Sequence, residues 1–482
     1  MEDLAKIGIK PNRFMPELPE VETVKNVLLP IVKGRKITQI DILRSSIIKN
    51  NPKDIFSHGL IGETILDVSR IGKFLIFHLT NEKVMISHLR MEGKYFEILE
   101  NEKPTKYARV IFHFDNGHRL CYDDSRTFGM LKLSSESQYL KEKEIAQLGP
   151  EPFFADAKTL KEKTIHSHTP IKSTLLDQTL MTGLGNIYAD EVCYACHIHP
   201  LTETNKISLS QWEDIVINAR RILNEAIASG GSTIRSYHPG KGIDGNFQTS
   251  LLAYGKKDEP CPRCGHYFRF IKVGGRGSTF CPHCQIRHGK PIKVAIFGPS
   301  GVGKSVILQY LAKQNYATIS ADEVVNQLYE RKEIIDKINK LFNLSFDNKI
   351  DKALLRQYLI DHPKDIRKLN NLIHPLVKKE IEQYINKQKM DFVFAEVPLL
   401  FEAKMENDFD IWLAVDINQD QQIERLNKRN KKSAQDIKTI NSYSKFDIYK
   451  KKADFVINNN TDLKSLYKQI DNLINKWQDR LN

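Results

Sequence analysis

The sequence predicts a multidomain chain: an N-terminal β-sandwich, a helical module and a small cysteine-held finger, followed by an α/β domain with a parallel sheet and a P-loop. Three observations carry this reading. Residues 36–133 are short apolar runs broken by turn residues, four cysteines stand as two close pairs within 261–284, and a glycine-rich loop at 298–305 lies between an apolar run and a helical stretch. At 482 residues, 41% hydrophobic and 27% charged, the chain has globular composition and length for several domains.

Residues 1–14 form an extension, MEDLAKIGIKPNRF, with no pattern of a targeting element, so the working start is expected at Met15. The domain assigned to 15–135 opens with PELPEVET and an amphipathic helix carrying Val21, Val24, Val27, Leu28 and Ile31. The runs ILDVSR, FLIFHL, VMISHL, RVIFHF and MLKL, separated by NE, EGK and DNG turns, then read as an antiparallel sandwich. Residues 136–250 are helical to about 229, where Gly230 and Gly231 stop the helix WEDIVINARRILNEAIAS. A finger occupies 251–285, and the short junction QIRHGKP leads into the domain at 291–482. There VAIF, FVFAEV, IWLAVD and FVIN alternate with long helices, the pattern of a parallel sheet.

No run of eighteen apolar residues occurs and the first thirty residues lack a signal-peptide core, so no membrane partner and a cytoplasmic location are expected. Seven cysteines, four of them paired, fit metal ligation in a reducing compartment better than a disulfide framework. The net charge of +13 divides into +7 for residues 1–290 and +6 for 291–482. It therefore suggests a polyanionic partner without locating it, and a Lys-rich composition accounts for part of it.

Cys261, Cys264, Cys281 and Cys284 form C-x2-C-x16-C-x2-C, the spacing of a tetrahedral thiolate site for one structural Zn²⁺. Four thiolates close the coordination sphere and leave no position for catalysis. Arg263, Arg269, Lys272 and Arg276 lie between the pairs with no acid among them. An arginine-tipped hairpin suits phosphate contact, and a stability clip with a solvated basic face is the alternative. Cys193 and Cys196 have no partner pair at ligand spacing and read as small packed thiols.

Gly298, Pro299, Ser300, Gly301, Val302, Gly303, Lys304 and Ser305 fit G-x4-G-K-S after a strand and before a helix. Backbone N–H groups would wrap phosphates, Lys304 would reach the β/γ oxygens of ATP, and Ser305 would bind Mg²⁺.

Residues 15–285 resemble the formamidopyrimidine-DNA glycosylase family through PELPEVETV, SRIGKFLIF, ISHLRMEGKY, YDDSRTFGML, LGPEP, LLDQTLMTGLGNIYADE, GGSTIRSY and GGRGSTFCPHCQ, in order. The resemblance implies a β-sandwich, a helix–two-turns–helix module and a zinc finger. It also implies excision of oxidised purines such as 8-oxoguanine and formamidopyrimidines from double-stranded DNA, with strand cleavage by β,δ-elimination. A terminal secondary amine is a good nucleophile for a sugar carbon, so Pro16 is the expected nucleophile once Met15 is removed, and Glu17 the proton carrier. If the extension is retained, that nitrogen is an amide and cannot attack. Lys73 matches the lysine that contacts lesion and phosphates, and Arg276 the finger arginine of the second elimination. Met91, Arg126 and Phe128 match the trio that fills the gap left by a flipped base. Asn186 matches a phosphate-binding asparagine, Glu20 a further acid, and Tyr107 stands where the family usually has histidine.

Residues 291–482 resemble dephospho-CoA kinase through ISADEVVNQLY, LNNLIHPLV, AEVPLLFEA, IERLNKRN and ADFVINN. This implies transfer of the ATP γ-phosphoryl to the 3′-hydroxyl of dephospho-CoA. Asp322 matches the candidate base, His374 and Pro375 the HP signature, Pro398 through Glu402 the acceptor segment, and Arg425 and Arg429 the lid. After Arg429, SYSKFDIYKKKAD replaces the usual Gln- and Arg-bearing lid. The rival readings are a non-catalytic or oxidised-pyrimidine-specific DNA-binding relative for the first part and another small-molecule kinase for the second. No obligate protein partner is expected.

Overall fold

The structure, a computed structural model, describes residues 16–231, 247–285, 287, 291–430 and 445–478. The extension 1–14 with Met15, most of GGSTIRSY, the lid residues 431–444 and the Arg429 side chain lie outside the described residues. The rest divides into two compact units. The first holds described residues up to 196, 203–255 and 272–279, and the second holds 197–202, 256–271 and those from 280 onward.

In the first unit, helix α1 (Leu18–Val32) buries Val21, Val24 and Leu28, the stripe its 3.6-residue period defines. Eight strands follow: β1 (Ile37–Ile42), β2 (Ile65–Ile71), β3 (Phe74–Leu79), β4 (Lys83–His88), β5 (Lys94–Leu99), β6 (Ala108–Phe114), β7 (His118–Asp123) and β8 (Met130–Ser135). They form two antiparallel sheets ordered β1-β6-β7-β5 and β2-β3-β4-β8. Inward residues of both, including Val68, Leu75, Phe77, Val110, Phe112 and Tyr122, share one core with α1, which is sandwich packing.

The helical part that follows includes α6 (Asn186–Ala195) and α7 (Leu209–Ala228). Ser208 caps α7 through a hydrogen bond from the Gln211 amide, and after the C-cap Ser229 come Gly230 and Gly231, both at positive φ. Strands β9 (Arg269–Val273) and β10 (Arg276–Phe280) make a two-stranded sheet around Gly274 and Gly275.

The second unit contains a five-stranded sheet in the order β12-β13-β11-β14-β15: β11 (Ile292–Phe297), β12 (Ala317–Ser320), β13 (Phe392–Glu396), β14 (Ile411–Asp416) and β15 (Phe455–Asn458). Every neighbouring pair is parallel. Separate apolar clusters cover its two faces, as a doubly covered sheet requires. Helix α8 (Lys304–Lys313) leaves β11 through the glycine-rich loop, and α9 (Ala321–Leu328) follows β12 directly. Both helices therefore begin at the carboxyl ends of strands, where such sheets bind ligands.

Candidate active sites

In the first unit the geometry converges on Glu17. It caps α1, and its carboxylate enters the N-terminus of α6, accepting hydrogen bonds from the amides of Gly185 at 2.6 Å, Ile187 at 2.8 Å and Tyr188 at 3.3 Å. Those are the amides a helix start leaves free. A Cβ on Gly185 would lie 2.3 Å from the carboxylate carbon, so glycine alone permits the approach. Glu20 holds the other side, accepting from the Glu17 amide at 2.9 Å and from the Tyr188 hydroxyl at 2.7 Å. Burial raises the Glu17 pKa to about 7, against the opposing pull of Lys73. Pro16 directly precedes it.

Lys73 sits in the β2–β3 turn after Gly72, which has φ +57°. Its ammonium donates to the Leu184 carbonyl at 2.7 Å, and burial lowers its pKa to about 8. The turn is braced by Arg70, which binds Glu22 at 2.7 Å and Glu151 at 2.6 Å, while Glu151 also accepts from the Gly72 amide at 2.8 Å. Lys73, His88, Arg90, Gln178 and Arg276 line a cavity of about 190 Å³. His88, lowered to about 3 by burial, is neutral there. Arg276 reaches this place because buried Asp190 anchors its strand, accepting from Ser278 Oγ at 2.6 Å, the Thr279 amide at 3.0 Å and Lys172 at 2.8 Å.

Met91, Arg126 and Phe128 form a cluster. The Asp124 carboxylate pins their loop through the amides of Arg126 at 2.9 Å and Gly129 at 2.7 Å, with Thr127 between them at φ +57°. The Arg126 guanidinium lies 4.7 Å from the Phe128 ring centre, and its Nη1 is 3.3 Å from Met91 Sδ. Phe128 is 54% exposed. A core role is thereby excluded for it. Exposed Tyr107 accepts the Asp124 amide at its carbonyl, 3.0 Å away. Asn186 begins α6, and its Oδ1 is buried with no hydrogen-bond partner among the described residues.

In the second unit Gly301 and Gly303 of the loop have φ of +82° and +102°. Only glycine enters that region without strain. Asn459 donates to the Val302 carbonyl at 2.8 Å and Gln422 to the Ser300 carbonyl at 2.7 Å, fixing the loop from two other elements. Lys304 is buried and donates to the carbonyls of Gly298 and Pro299 at 3.0 and 2.9 Å. The Ser305 hydroxyl donates to Glu396 at 3.2 Å, and Ser320 donates to the same carboxylate at 3.3 Å. Burial raises the Glu396 pKa, and neighbouring Lys304 lowers it. Ser305, Glu396, Arg425 and Asp322 line a cavity of about 600 Å³ beside the loop. Asp322 also lines a second cavity of about 660 Å³ with Tyr329, Lys352 and Arg356, and a third of about 190 Å³ with His374 and Pro398. It stands where all three meet. Glu402 is exposed and lines none of these three cavities.

The sulfurs of Cys261, Cys264, Cys281 and Cys284 lie within 4.8 Å of one another, with 3.9 Å between Cys261 and Cys284 and 3.4 Å between Cys264 and Cys281. Bonds of about 2.3 Å to a tetrahedral zinc would separate thiolates by about 3.8 Å, so the four residues fit the ion. Cys193 is buried, as packing predicts, whereas Cys196, at the end of α6, is only half-buried. One residue departs from the expected basic stripe. Arg269 is 6% exposed and bound to Asp454, so it does not face phosphate. An acid 185 positions away gives no local signal of such a partner.

Comparison with known proteins gives the families of the two parts. Family models match residues 15–131 (formamidopyrimidine-DNA glycosylase N-terminal domain), 148–238 (its H2TH domain) and 258–286 (the zinc finger found in FPG and IleRS). The formamidopyrimidine-DNA glycosylase of Listeria innocua is 44% identical over 276 residues, 56% of this chain and 100% of that one. The chain belongs to the formamidopyrimidine-DNA glycosylase family. The Bacillus subtilis glycosylase is 43% identical over 277 residues, 57% of this chain and all of its own. The Lactococcus lactis Fpg complex with abasic-site DNA aligns with TM-score 0.53 and 40% identity over 56% of this chain and 100% of that chain. A complex of that Fpg with N7-benzyl-Fapy-dG DNA gives the same values. Beyond the glycosylase part, the dephospho-CoA kinase family model matches residues 292–465, making the chain a fusion of two enzyme types.

The structure brings Glu17, Lys73 and Arg276 together, and separately the loop, Asp322 and Arg425. Sequence reasoning gave no role to Glu151, His88, Gln178, Glu396 or Asn459. All five stand inside motifs of the sequence (ISHLRMEGKY, LGPEP, LLDQTLMTGLGNIYADE, AEVPLLFEA and ADFVINN), so their residue types were visible and only their partners were not.

Proposed function

We propose that the two sites act as a DNA glycosylase/lyase for oxidised purines and as a dephospho-CoA kinase. The observation that carries the first reading is the buried Glu17 carboxylate beside Pro16, poised near neutrality next to Lys73. In it, the Pro16 nitrogen attacks the sugar carbon bearing the damaged base, the base leaves with its bonding electrons, the C1′–O4′ ring bond then breaks as O4′ takes a proton, and the iminium so formed draws electrons for elimination of the 3′- and then the 5′-phosphate. Glu17 takes the proton from the nitrogen and returns protons to the sugar. Lys73 holds the lesion and its flanking phosphate, Asn186 and Tyr107 the backbone, and Arg276 the phosphate lost second. Met91 and Phe128 fill the vacated stack while Arg126 pairs with the orphaned base.

In the second site Asp322 accepts the proton of the dephospho-CoA 3′-hydroxyl, which attacks the γ-phosphorus of ATP and expels ADP. The loop amides and Lys304 hold the phosphates, and Ser305 with Glu396 would hold Mg²⁺, which neutralises their charge. The closed thiolate site makes zinc structural. DNA and coenzyme substrates support a cytoplasmic location, and among the described residues no helix is long and apolar enough to cross a membrane.

Borohydride trapping on an 8-oxoguanine duplex tests the first reading. A chain beginning at Pro16 should give a covalent adduct and one retaining residues 1–15 none; an adduct formed equally by both would exclude Pro16. Phosphorylation of dephospho-CoA, compared with nucleoside monophosphates as acceptors, tests the second.

A further inference from the structure

The second unit contains the four cysteine ligands of the finger, with residues 256–271, and the parallel sheet, and they share a buried polar contact that neither proposed activity uses. Arg269, the first residue of β9, would be solvated in a free-standing finger, yet it is 6% exposed. Its guanidinium stacks 3.3 Å from the Trp412 ring centre, donates to the carbonyls of Asp410 at 2.9 Å and Phe409 at 3.3 Å, and binds the Asp454 carboxylate. Asp454 is itself 3% exposed, and the same carboxylate oxygen accepts the Trp412 amide at 2.6 Å. Around this pair His266 stacks on His283 at 4.2 Å, both rings lean on Phe455, and His266 Nε2 meets the Asp454 carbonyl. Arg287 adds an ion pair to Asp410 at 3.6 Å.

We propose that the zinc finger is docked on the sheet of the kinase domain through Arg269 and Asp454, so that zinc retention by the finger depends on the kinase domain. Two features support this. A buried arginine demands a matching charge and hydrogen-bond acceptors, and the sheet supplies a carboxylate, two carbonyls and an aromatic face. The contact also falls at the amino ends of β14 and β15, whereas the glycine-rich loop and Asn459 lie at the carboxyl ends. Docking thus leaves the nucleotide cavity open. His266 and His283 each follow a cysteine ligand by at most two residues, so the docked rings lie over the metal turns and hold them closed.

The proposal rests on the zinc reading, and metal content of the purified full chain is measured first; absence of zinc would sink that reading alone. The decisive variant lies on the kinase side. In the zinc-loaded full chain, Asp454→Asn should speed transfer of zinc to a chromogenic chelator about ten-fold, although residue 454 is far in sequence from every ligand. Arg269→Ala should do the same, and the double variant should be no faster than either single one, as expected of partners in one contact. Should Asp454→Asn unfold the kinase domain, release must still accelerate, since the finger has lost its support. Zinc release from Asp454→Asn at the wild-type rate overturns docking.

Discussion

The Glu17 carboxylate and the Lys73 ammonium are buried beside each other, and burial moves their pKa values toward one another, to about 7 and about 8. As a coupled pair they titrate together. Base excision that needs ionised Glu17 and charged Lys73 should rise through about pH 7 and fall above about 8. Glu17→Gln should remove the ascending limb and cost about 10²–10⁴ in rate, the range of a lost proton carrier. Single-turnover excision between pH 5.5 and 9.5 checks this. Stability gives a second readout. A carboxyl raised from 4.5 to about 7 binds its proton more tightly in the folded chain, so its contribution is greatest below pH 4.5 and is lost as pH rises to about 7. Glu17→Gln should therefore melt higher than wild type at pH 8 and equal to it at pH 4.5, the difference being at most about 3 kcal/mol.

Phe128 separates a DNA-contacting role from a packing role. Its ring is 54% exposed and is held by Arg126 rather than by the core. Phe128→Ala should leave the melting temperature within about 1 °C, because little apolar area is uncovered. Excision from duplex should fall about ten-fold, since one wedge against the unstacked step is lost. Full excision activity with a lowered melting temperature would mean that the ring packs.

The sequence displayed what is local. Short apolar runs between turn residues gave the sandwich strands, cysteine spacing gave the zinc site, and glycines before Lys304 gave the phosphate loop, because each signal lies within a few residues. What needed the fold were partners across the chain. The amides that hold Glu17 come from residues 185–188, the carboxylate that places Arg276 from Asp190, and the side chains that fix the phosphate loop from Gln422 and Asn459. Arg269 misled for the same reason: a basic residue in a basic stripe has the same appearance whether it meets phosphate or Asp454.

Charge alone did not separate the two parts, at +7 and +6, but the sites differ in how they meet anions. Lys73 and Arg276 would replace condensed counterions on DNA, whereas ATP carries no such atmosphere. Lesion-duplex affinity should therefore fall linearly on a log–log salt plot with a slope near −0.9 per phosphate contact, and Arg276→Ala should flatten it by about one contact. The apparent KM for ATP should change far less over the same range. Parallel salt slopes for both activities would contradict the assignment.

Glu396 ends β13 facing Ser305 and Ser320, and burial pushes its pKa up while Lys304 pulls it down. A buried acid in that position is either a structural hydrogen-bond acceptor or a ligand-holding charge. Glutamine in its place keeps a carbonyl acceptor for the serines and removes the charge. If the acid is structural, Glu396→Gln should be neutral in rate. If it holds Mg²⁺ with Ser305, kcat for dephospho-CoA phosphorylation should fall by about 10²–10³, and a higher Mg²⁺ concentration should be needed for half-maximal rate. The melting temperature should not fall, since an isosteric neutral group is easier to bury than a charge. Borohydride trapping on the lesion duplex should be unchanged, which separates loss of the kinase site from loss of the fold.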